Sequence, residues 1–267
     1  MRKIFIFVVA CLIAEAGAAE PKPVLEIGVG AGGQWLNDYR GSKESQFTAL
    51  PFPFFIYRGN VFKVDDEDGA RGEFLSREKF EINLSADVAL RSDSEGNKLR
   101  EGMPELDTAF ELGPELDINL TGENLKKGWM LRLPLRAAFT LGSGEVNDIG
   151  YTFSPKLTYK KPDFIWGWRL KTDMGLMYGT QSFHEYYYSV ADEYVTSGRS
   201  LFDADSGYSG AFARLGMYKR KGNWIYRATV RYDNLEDAVF IDSPLVETKD
   251  YYSVSFGLGW IFYARDE

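Results

Sequence analysis

The sequence predicts an all-β protein: a closed antiparallel transmembrane β-barrel of about twelve strands with short periplasmic turns and longer extracellular loops. Three observations predict it. The chain opens on an export leader, most of the remainder alternates apolar and polar residues over long stretches, and the connections between those stretches alternate between short and long.

The leader reads MRKIFIFVVACLIAEAGAAE. Arg2 and Lys3 form a positive start, Ile4 to Ile13 an apolar run, and Ala16, Ala18 and Ala19 a small-residue cleavage site. Residues 1–19 therefore read as a secretory signal peptide and residues 20–267 as the barrel. The apolar run falls short of the roughly 20 residues that a spanning helix requires. Val8-Val9-Ala10-Cys11 also admits a lipoprotein reading, with a shorter apolar run before the cysteine. Cys11 is the only cysteine, so the exported chain has neither a disulfide framework nor a thiolate metal site. The net charge of -8 becomes about -9 once Arg2, Lys3 and Glu15 are removed, which argues against nucleic acid as a partner.

The elements follow in order. GVGAGG at 28–33 lies in the first strand, where small residues let the barrel bend or a neighbour approach. PFPFF at 51–55 lies in the second, and Pro51 and Pro53 predict a kink there. Residues 61–75 form a short hairpin around DDEDG; without it the count falls to ten. Phe80, Ile82, Leu84, Val88 and Leu90 share one face of the next strand, and the same period continues over 106–120, 129–141, 151–160, 166–178 and 224–232. In the last stretch Val254, Phe256, Leu258, Trp260 and Phe262 alternate with serine and glycine, and their face meets lipid. YARDE follows Phe262, a departure from barrels that end on the aromatic itself. These runs exceed the 5 or 6 residues usual for soluble strands and suit a tilted membrane crossing. Short turns are expected at 58–60, 76–78, 121–128, 161–164 and 219–223, and long outer loops at 36–47, 91–105, 142–149, 185–207 and 237–250.

With the apolar faces in lipid, the other faces line the lumen. Glu81, Asp87, Asp107, Glu111, Glu115 and Asp117 make an acidic wall; Arg132, Arg136, Lys156, Lys160, Arg169, Lys171, Arg227 and Arg231 make a basic one. Charges of opposite sign either pair and fill a narrow lumen or hold a field that orients a small polar solute; filling is favoured, with little or no conductance. Lys126, Lys127, Lys160, Lys161, Lys219, Arg220 and Lys221 form a basic periplasmic rim suited to a partner protein or to peptidoglycan carboxylates. The tyrosine-rich outer loop at 184–207 suits adhesion or a lid. His184, with Ser182 sharing its face on a strand and Glu185 beside it, is the one candidate catalytic group, and an isolated pair of this kind points to polar surface rather than an enzyme. No metal-ligand spacing or phosphate loop occurs, so neither a metal nor a cofactor is expected.

Several motifs resemble one family. NDYRGS at 37–42 is similar to a P-D-Y-x-G-S motif through Asp38, Tyr39, Gly41 and Ser42, with Asn37 in the place of proline. LPFPFFIYRGN at 50–60 is similar to P-L-P-Y-x-x-Y-R-G through Pro51, Pro53, Tyr57, Arg58 and Gly59, and DSPL at 242–245, with Ser243 and Pro244, and the closing GLGWIF match too. Together they resemble the MipA/OmpV family, MltA-interacting proteins of Gram-negative outer membranes. The resemblance implies an outer-membrane barrel in contact with lipid and lipopolysaccharide. It further implies a scaffold holding a murein-degrading lytic transglycosylase near a penicillin-binding protein that synthesises peptidoglycan; other members resemble adhesins or surface antigens, and a small-solute channel is the remaining alternative.

Overall fold

Alternation becomes strand almost everywhere it was expected. The computed structural model describes residues 23–59, 62–65, 69–89, 97–121, 124–142 and 144–266; the leader, its cleavage site and Cys11 lie outside them, as do Asn60 and most of the DDEDG tip. The strands are β1 Leu25–Asn37, β2 Ser45–Arg58, β3 Phe62–Asp65, β4 Gly69–Ser76, β5 Phe80–Ala89, β6 Thr108–Asn119, β7 Gly128–Gly142, β8 Glu145–Phe153, β9 Lys156–Ile165, β10 Trp168–Gly179, β11 Gly207–Lys221, β12 Trp224–Asn234 and β13 Asp250–Arg265. One helix, α1 Gln181–Tyr188, stands in the loop before β11. No helix among the described residues is long and apolar enough to cross a membrane.

All pairings are antiparallel and they close on themselves. β13 pairs with β1, β1 with β2, and the ladder continues through the β3–β4 hairpin to β12, which pairs with β13. β8 and β9 are one membrane crossing. β7 meets β8 at Leu135↔Phe153 and β9 at Arg132↔Lys156, in the same register, and β10 pairs with both. The interruption falls at Ser154 and Pro155, opposite Pro134 and Leu133; Pro155 has no N–H to give, and the Ser154 N–H still reaches the Pro134 carbonyl. Thirteen strand segments thus make the twelve strands expected, with the short β3–β4 hairpin supplying two of them. The extension after Phe262 is strand: Tyr263, Ala264 and Arg265 pair with Ile27, Glu26 and Leu25.

Three connections differ from expectation. The stretch 142–149 is no long loop, because β8 starts at Glu145 and only Ser143 and Gly144 separate it from β7. Lys161 to Phe164 lie inside β9, and the chain reverses instead at Trp166-Gly167, both with positive φ (50° and 76°). That is the two-residue geometry whose twist matches the flanking strands, with glycine at one left-handed position. Lys219, Arg220 and Lys221 finish β11, leaving Gly222-Asn223 as the turn.

Side chains sort as the pleat requires. Val29, Phe47, Ile82, Leu112, Leu157, Val230, Phe256 and Leu258 are exposed on the outside, a belt that suits hydrocarbon. Inside, Gly28 and Gly259 lie under the Phe54 ring, and Gly30 and Gly32 under that of Phe52. A Cβ on Gly28 would also stand 2.6 Å from the carbonyl oxygen of Trp260, so the glycines in GVGAGG admit the close approach of rings from β2. The kink expected at Pro51 and Pro53 does not interrupt the ladder, which runs in one register from Leu25↔Tyr57 to Asn37↔Ser45.

Candidate functional site

The lumen is filled at mid-height by charges on the inward positions of β5 to β10. Glu115, only 2% exposed, meets three cations: Arg132 at 2.5 Å, Arg136 at 3.5 Å and Lys156 at 3.6 Å. Arg132 also donates to Asp117 at 2.9 Å, and Asp117 accepts from Asn83. Arg136 donates to the Ser85 hydroxyl at 3.0 Å and lies 3.8 Å from Asp87 and 3.9 Å from Glu111; Glu111 accepts from Thr152. Asp173 accepts from Thr158 at 2.6 Å and from Arg214 at 2.9 Å. Burying this many ions is tolerable only when each has partners and hydrogen bonds, as here.

The two-wall picture is corrected in one respect. Acidic residues also stand on the basic side: Asp173 and Asp233 neutralise Arg214 and Arg231, and Glu26 neutralises Arg58 and Arg220. Glu81, Lys160 and Lys171 are buried at inward positions as expected, while the Arg227 guanidinium lies 5.2 Å from the Tyr218 ring centre. Arg169 opens β10 near the periplasmic end, partly buried. Asp107 precedes β6 and lines the outer cavity rather than the strand wall. Of the inward charges of β11, Arg214 was missed and Arg220 was placed on the rim, because that face also carries Phe212 and Tyr218 and does not read as polar.

A second closure lies at the periplasmic end. Glu26 is buried and accepts from Arg220 at 2.5 and 2.8 Å and from Arg58 at 2.7 Å; Arg58 also donates to the Pro23 carbonyl. Ile56, Ile225 and Ile261 pack together beside them with Phe54. Arg58, a family-motif residue, and Arg220, expected on a free rim, therefore tie the base of the barrel. Lys219 donates to the Trp166 carbonyl at 2.8 Å, so it too serves the wall. Lys126, Lys127, Lys161 and Lys221 remain exposed, joined by Arg77 and Lys79 of the β4–β5 turn, which the sequence reading did not single out.

The third closure is a folded cap of outer loops. Tyr39, Leu106, Tyr188, Val190, Ala204, Leu235, Ala238, Phe240 and Leu245 form one apolar core, in which Tyr188 and Phe240 stack at 3.6 Å. Family motifs far apart in sequence meet here. Tyr39 donates to the Leu245 carbonyl at 2.7 Å, Ser243 to the Tyr188 carbonyl at 2.6 Å, and Tyr188 to the Arg40 carbonyl at 2.9 Å. Asn97 donates to Asp38 and to Ser42, and the Gly41 carbonyl accepts from Glu247 and Thr248. Pro244 lies in the turn whose Val246 N–H returns to the Ser243 carbonyl. Arg100, held by the carbonyls of Tyr187 and Pro104, and Arg199, held by those of Tyr194 and Leu99, cross-tie the loops. Burial raises the Tyr39, Tyr187 and Tyr188 phenols above their ordinary range, so each stays protonated, Tyr39 and Tyr188 as the donors of the bonds above.

His184 is neither on a strand nor at the polar surface where the sequence placed it. It sits on α1 rather than on a strand, so Ser182 two residues earlier does not face it. Its ring is fully buried, with Nδ1 2.6 Å from the Asp205 carbonyl and Nε2 2.6 Å from the Ser209 hydroxyl. The carbonyl only accepts, so Nδ1 carries the proton and Nε2 accepts from Ser209. Burial lowers the imidazole's pKa, and the neutral ring pins α1 to the start of β11. Of the tyrosines of 184–207, Tyr187 and Tyr188 turn inward and line, with Glu111, Arg136, Lys156 and Arg214, a cavity of about 330 Å³.

A family model described as MltA-interacting protein MipA matches residues 29–262. A search of proteins of curated function finds no match. Among solved structures, the translocator domain of the autotransporter NalP from Neisseria meningitidis is similar at a TM-score of 0.43 and 12% identity, over 93% of this chain and 90% of that one. A bacterial polysaccharide outer membrane secretin reaches 0.43 at 10% identity, over 89% and 99%. The COG4313 outer membrane channel from Pseudomonas putida F1 reaches 0.39 at 12% identity, over 93% and 98%. The family match and the ring of strand pairings place the protein in the outer membrane.

Proposed function

Because the chain belongs to the MltA-interacting protein (MipA) family, we propose that it is a non-enzymatic outer-membrane scaffold. It would hold a murein-degrading lytic transglycosylase, and with it a peptidoglycan synthase, against the inner face of the membrane. The observation that carries this reading is the closure of the lumen at three levels: the cap, the Glu115 cluster and the Glu26 base. Among the described residues these cross-ties leave a solute little room to pass, which on this reading moves the barrel's work to its faces. Of the two faces, the outer one turns Tyr187 and Tyr188 inward, whereas the periplasmic one displays Lys126, Lys127 and Lys221. Exposed lysines of one sign favour acidic partner surfaces and speed encounter.

The test is capture from an extract of the protein's own cells with the detergent-solubilised barrel as bait. The control changes Lys126, Lys127 and Lys221 to serine and spares Lys219 and Arg220, which hold the wall together. Recovery of a lytic transglycosylase with the parent barrel, and its loss with the variant, is the expected result. Absence of any murein enzyme from both would overturn the scaffold.

A further inference from the structure

Two like-charge pairs border the lumen on the outer side of the Glu115 cluster. On one wall Asp87 of β5 stands directly opposite Glu111 of β6 in the ladder; on the other Arg214 of β11 stands directly opposite Arg231 of β12. Side chains so paired are roughly 4.5–5.5 Å apart at Cβ, and like charges there destabilise a sheet. A fold that keeps two such pairs gives up stability at both, and departures of this kind mark functional sites.

The surrounding contacts neutralise each pair only in part. Asp87 and Glu111 share one guanidinium, Arg136, at 3.8 and 3.9 Å, and that guanidinium also reaches Glu115 at 3.5 Å. On the far wall Asp173 serves Arg214, while Asp233 is divided between Arg231 and Arg40. Two carboxylates on one shared cation leave negative charge in excess on the first wall. Three guanidiniums on two carboxylates leave positive charge in excess on the second. The other charges lining the cavity keep that polarity: Asp107 lies on the acidic side beside Gly142 of β7, Lys156 is held by Glu115 at 3.6 Å, and Asp38 belongs to the cap, where it accepts from Asn97.

Both pairs open on one space. All four side chains line the cavity of about 330 Å³, and 56% of the Asp87 side chain, 29% of Arg214 and 24% of Arg231 is exposed although they lie inside the barrel. That volume falls in the range of small-molecule sites. β5–β6 and β11–β12 stand on nearly opposite sides of the ring, yet the Asp87 carboxylate is close enough to interact with both guanidiniums. Met177 and Phe212 give the same cavity an apolar surface.

We propose that this cavity binds a short zwitterionic peptide, of about two or three residues, with its ammonium on Asp87 and Glu111 and its carboxylate on Arg214 and Arg231. A single amino acid carries both charges on one carbon and serves one wall only, whereas each further residue adds roughly 3.3–3.6 Å of reach. Methyl-sized side chains lie against Met177 and Phe212. The Glu115 cluster stands beneath the site, so the peptide is held rather than passed, and its binding is independent of the scaffold role.

The test is equilibrium dialysis of the refolded barrel in detergent against radiolabelled trialanine, a method indifferent to how slowly a solute enters past the outer loops. N-acetyl-trialanine lacks the ammonium, and trialanine amide lacks the carboxylate. Saturable binding of trialanine, weakened about tenfold or more by either blocking group, is expected, the scale of one charge-assisted hydrogen bond. Asp87→Asn should erase the difference between trialanine and its acetyl form while heat-modifiable mobility shows the barrel folded. Absence of saturable binding, equal affinity for the three peptides, or a difference that survives in the folded Asp87→Asn barrel would overturn the proposal. Should that variant fail to fold, the three peptides on the parent barrel decide the matter alone.

Discussion

Changing Glu115 to glutamine removes the one negative charge that three buried cations share. Arg132 keeps Asp117 at 2.9 Å, and Arg136 keeps the Ser85 hydroxyl with Asp87 and Glu111 near 4 Å. Lys156 loses its only salt bridge among the described residues. Breaking a buried pair by removing one partner costs about 3–5 kcal/mol. Two of the three cations retain other partners, so the lower end applies: about 3 kcal/mol, on the order of a hundredfold in the folding equilibrium. Glu111→Gln is the matched comparison. Glu111 lies 3.9 Å from Arg136, and its short contact is a neutral hydroxyl, so its loss should amount to about 1 kcal/mol. Urea unfolding of the barrel in lipid vesicles, followed by tryptophan fluorescence and by the mobility shift of folded barrels on gels, gives both values. A Glu115→Gln variant within about 0.5 kcal/mol of the parent, or one more stable than Glu111→Gln, would refute the reasoning.

The cap gives two further predictions and the wall a third. Burial holds the His184 pKa below its unfolded value, so the opened cap binds more protons than the closed one. Cap stability is therefore full above about pH 6.5 and falls as the pH drops from there toward the folded value. Cleavage within the outer loop over 190–204 should be faster at pH 5 than at pH 8, at matched protease activity, and His184→Asn should abolish the difference. Phe240→Ala removes the ring stacked on Tyr188 and should destabilise the cap by about 3 kcal/mol, read as faster hydrogen exchange in the outer loops with the strands unchanged. Gly28→Ala forces a methyl against Phe54 and the Trp260 carbonyl and should lower barrel stability by about 1–3 kcal/mol in the urea assay, whereas Gly144→Ala, with open space around it, should show no steric penalty beyond its backbone strain.

The crossings were legible because a membrane barrel imposes one strict rule, apolar out and polar in, which Phe80 to Val88 obey throughout and Tyr252 to Phe262 obey except at the buried Ile261. The misreadings have physical causes. Over 145–148 three of the four residues are polar although they form strand, and polarity alone cannot separate loop from solvated strand. At Lys161 to Phe164 the turn was placed at the charges, while the actual reversal uses Trp166 in a left-handed conformation that a large aromatic seldom adopts. The lumen charges were readable in position but not in pairing: which carboxylate meets which guanidinium depends on the curvature of the whole ring. That is why Glu26, paired with Arg220 from the far end of the chain, gave no signal. The cap was the least legible. Its core gathers Tyr39, Leu106, Tyr188 and Leu245 from four separate loops with no periodicity to announce it, and only the family motifs, Asp38 to Ser42 and Ser243-Pro244, marked where it lies.

The central claim is that this outer-membrane barrel is closed along its lumen and acts through its faces. Single-channel recording of the purified, refolded protein in planar bilayers tests it most directly, at a concentration where heat-modifiable mobility shows the barrel folded. The account predicts no discrete conductance steps from the parent protein in either direction of applied voltage. Stable ohmic steps that recur from one insertion to the next would mean that the cap, the Glu115 cluster and the Glu26 base leave a path open, and the account would be contradicted.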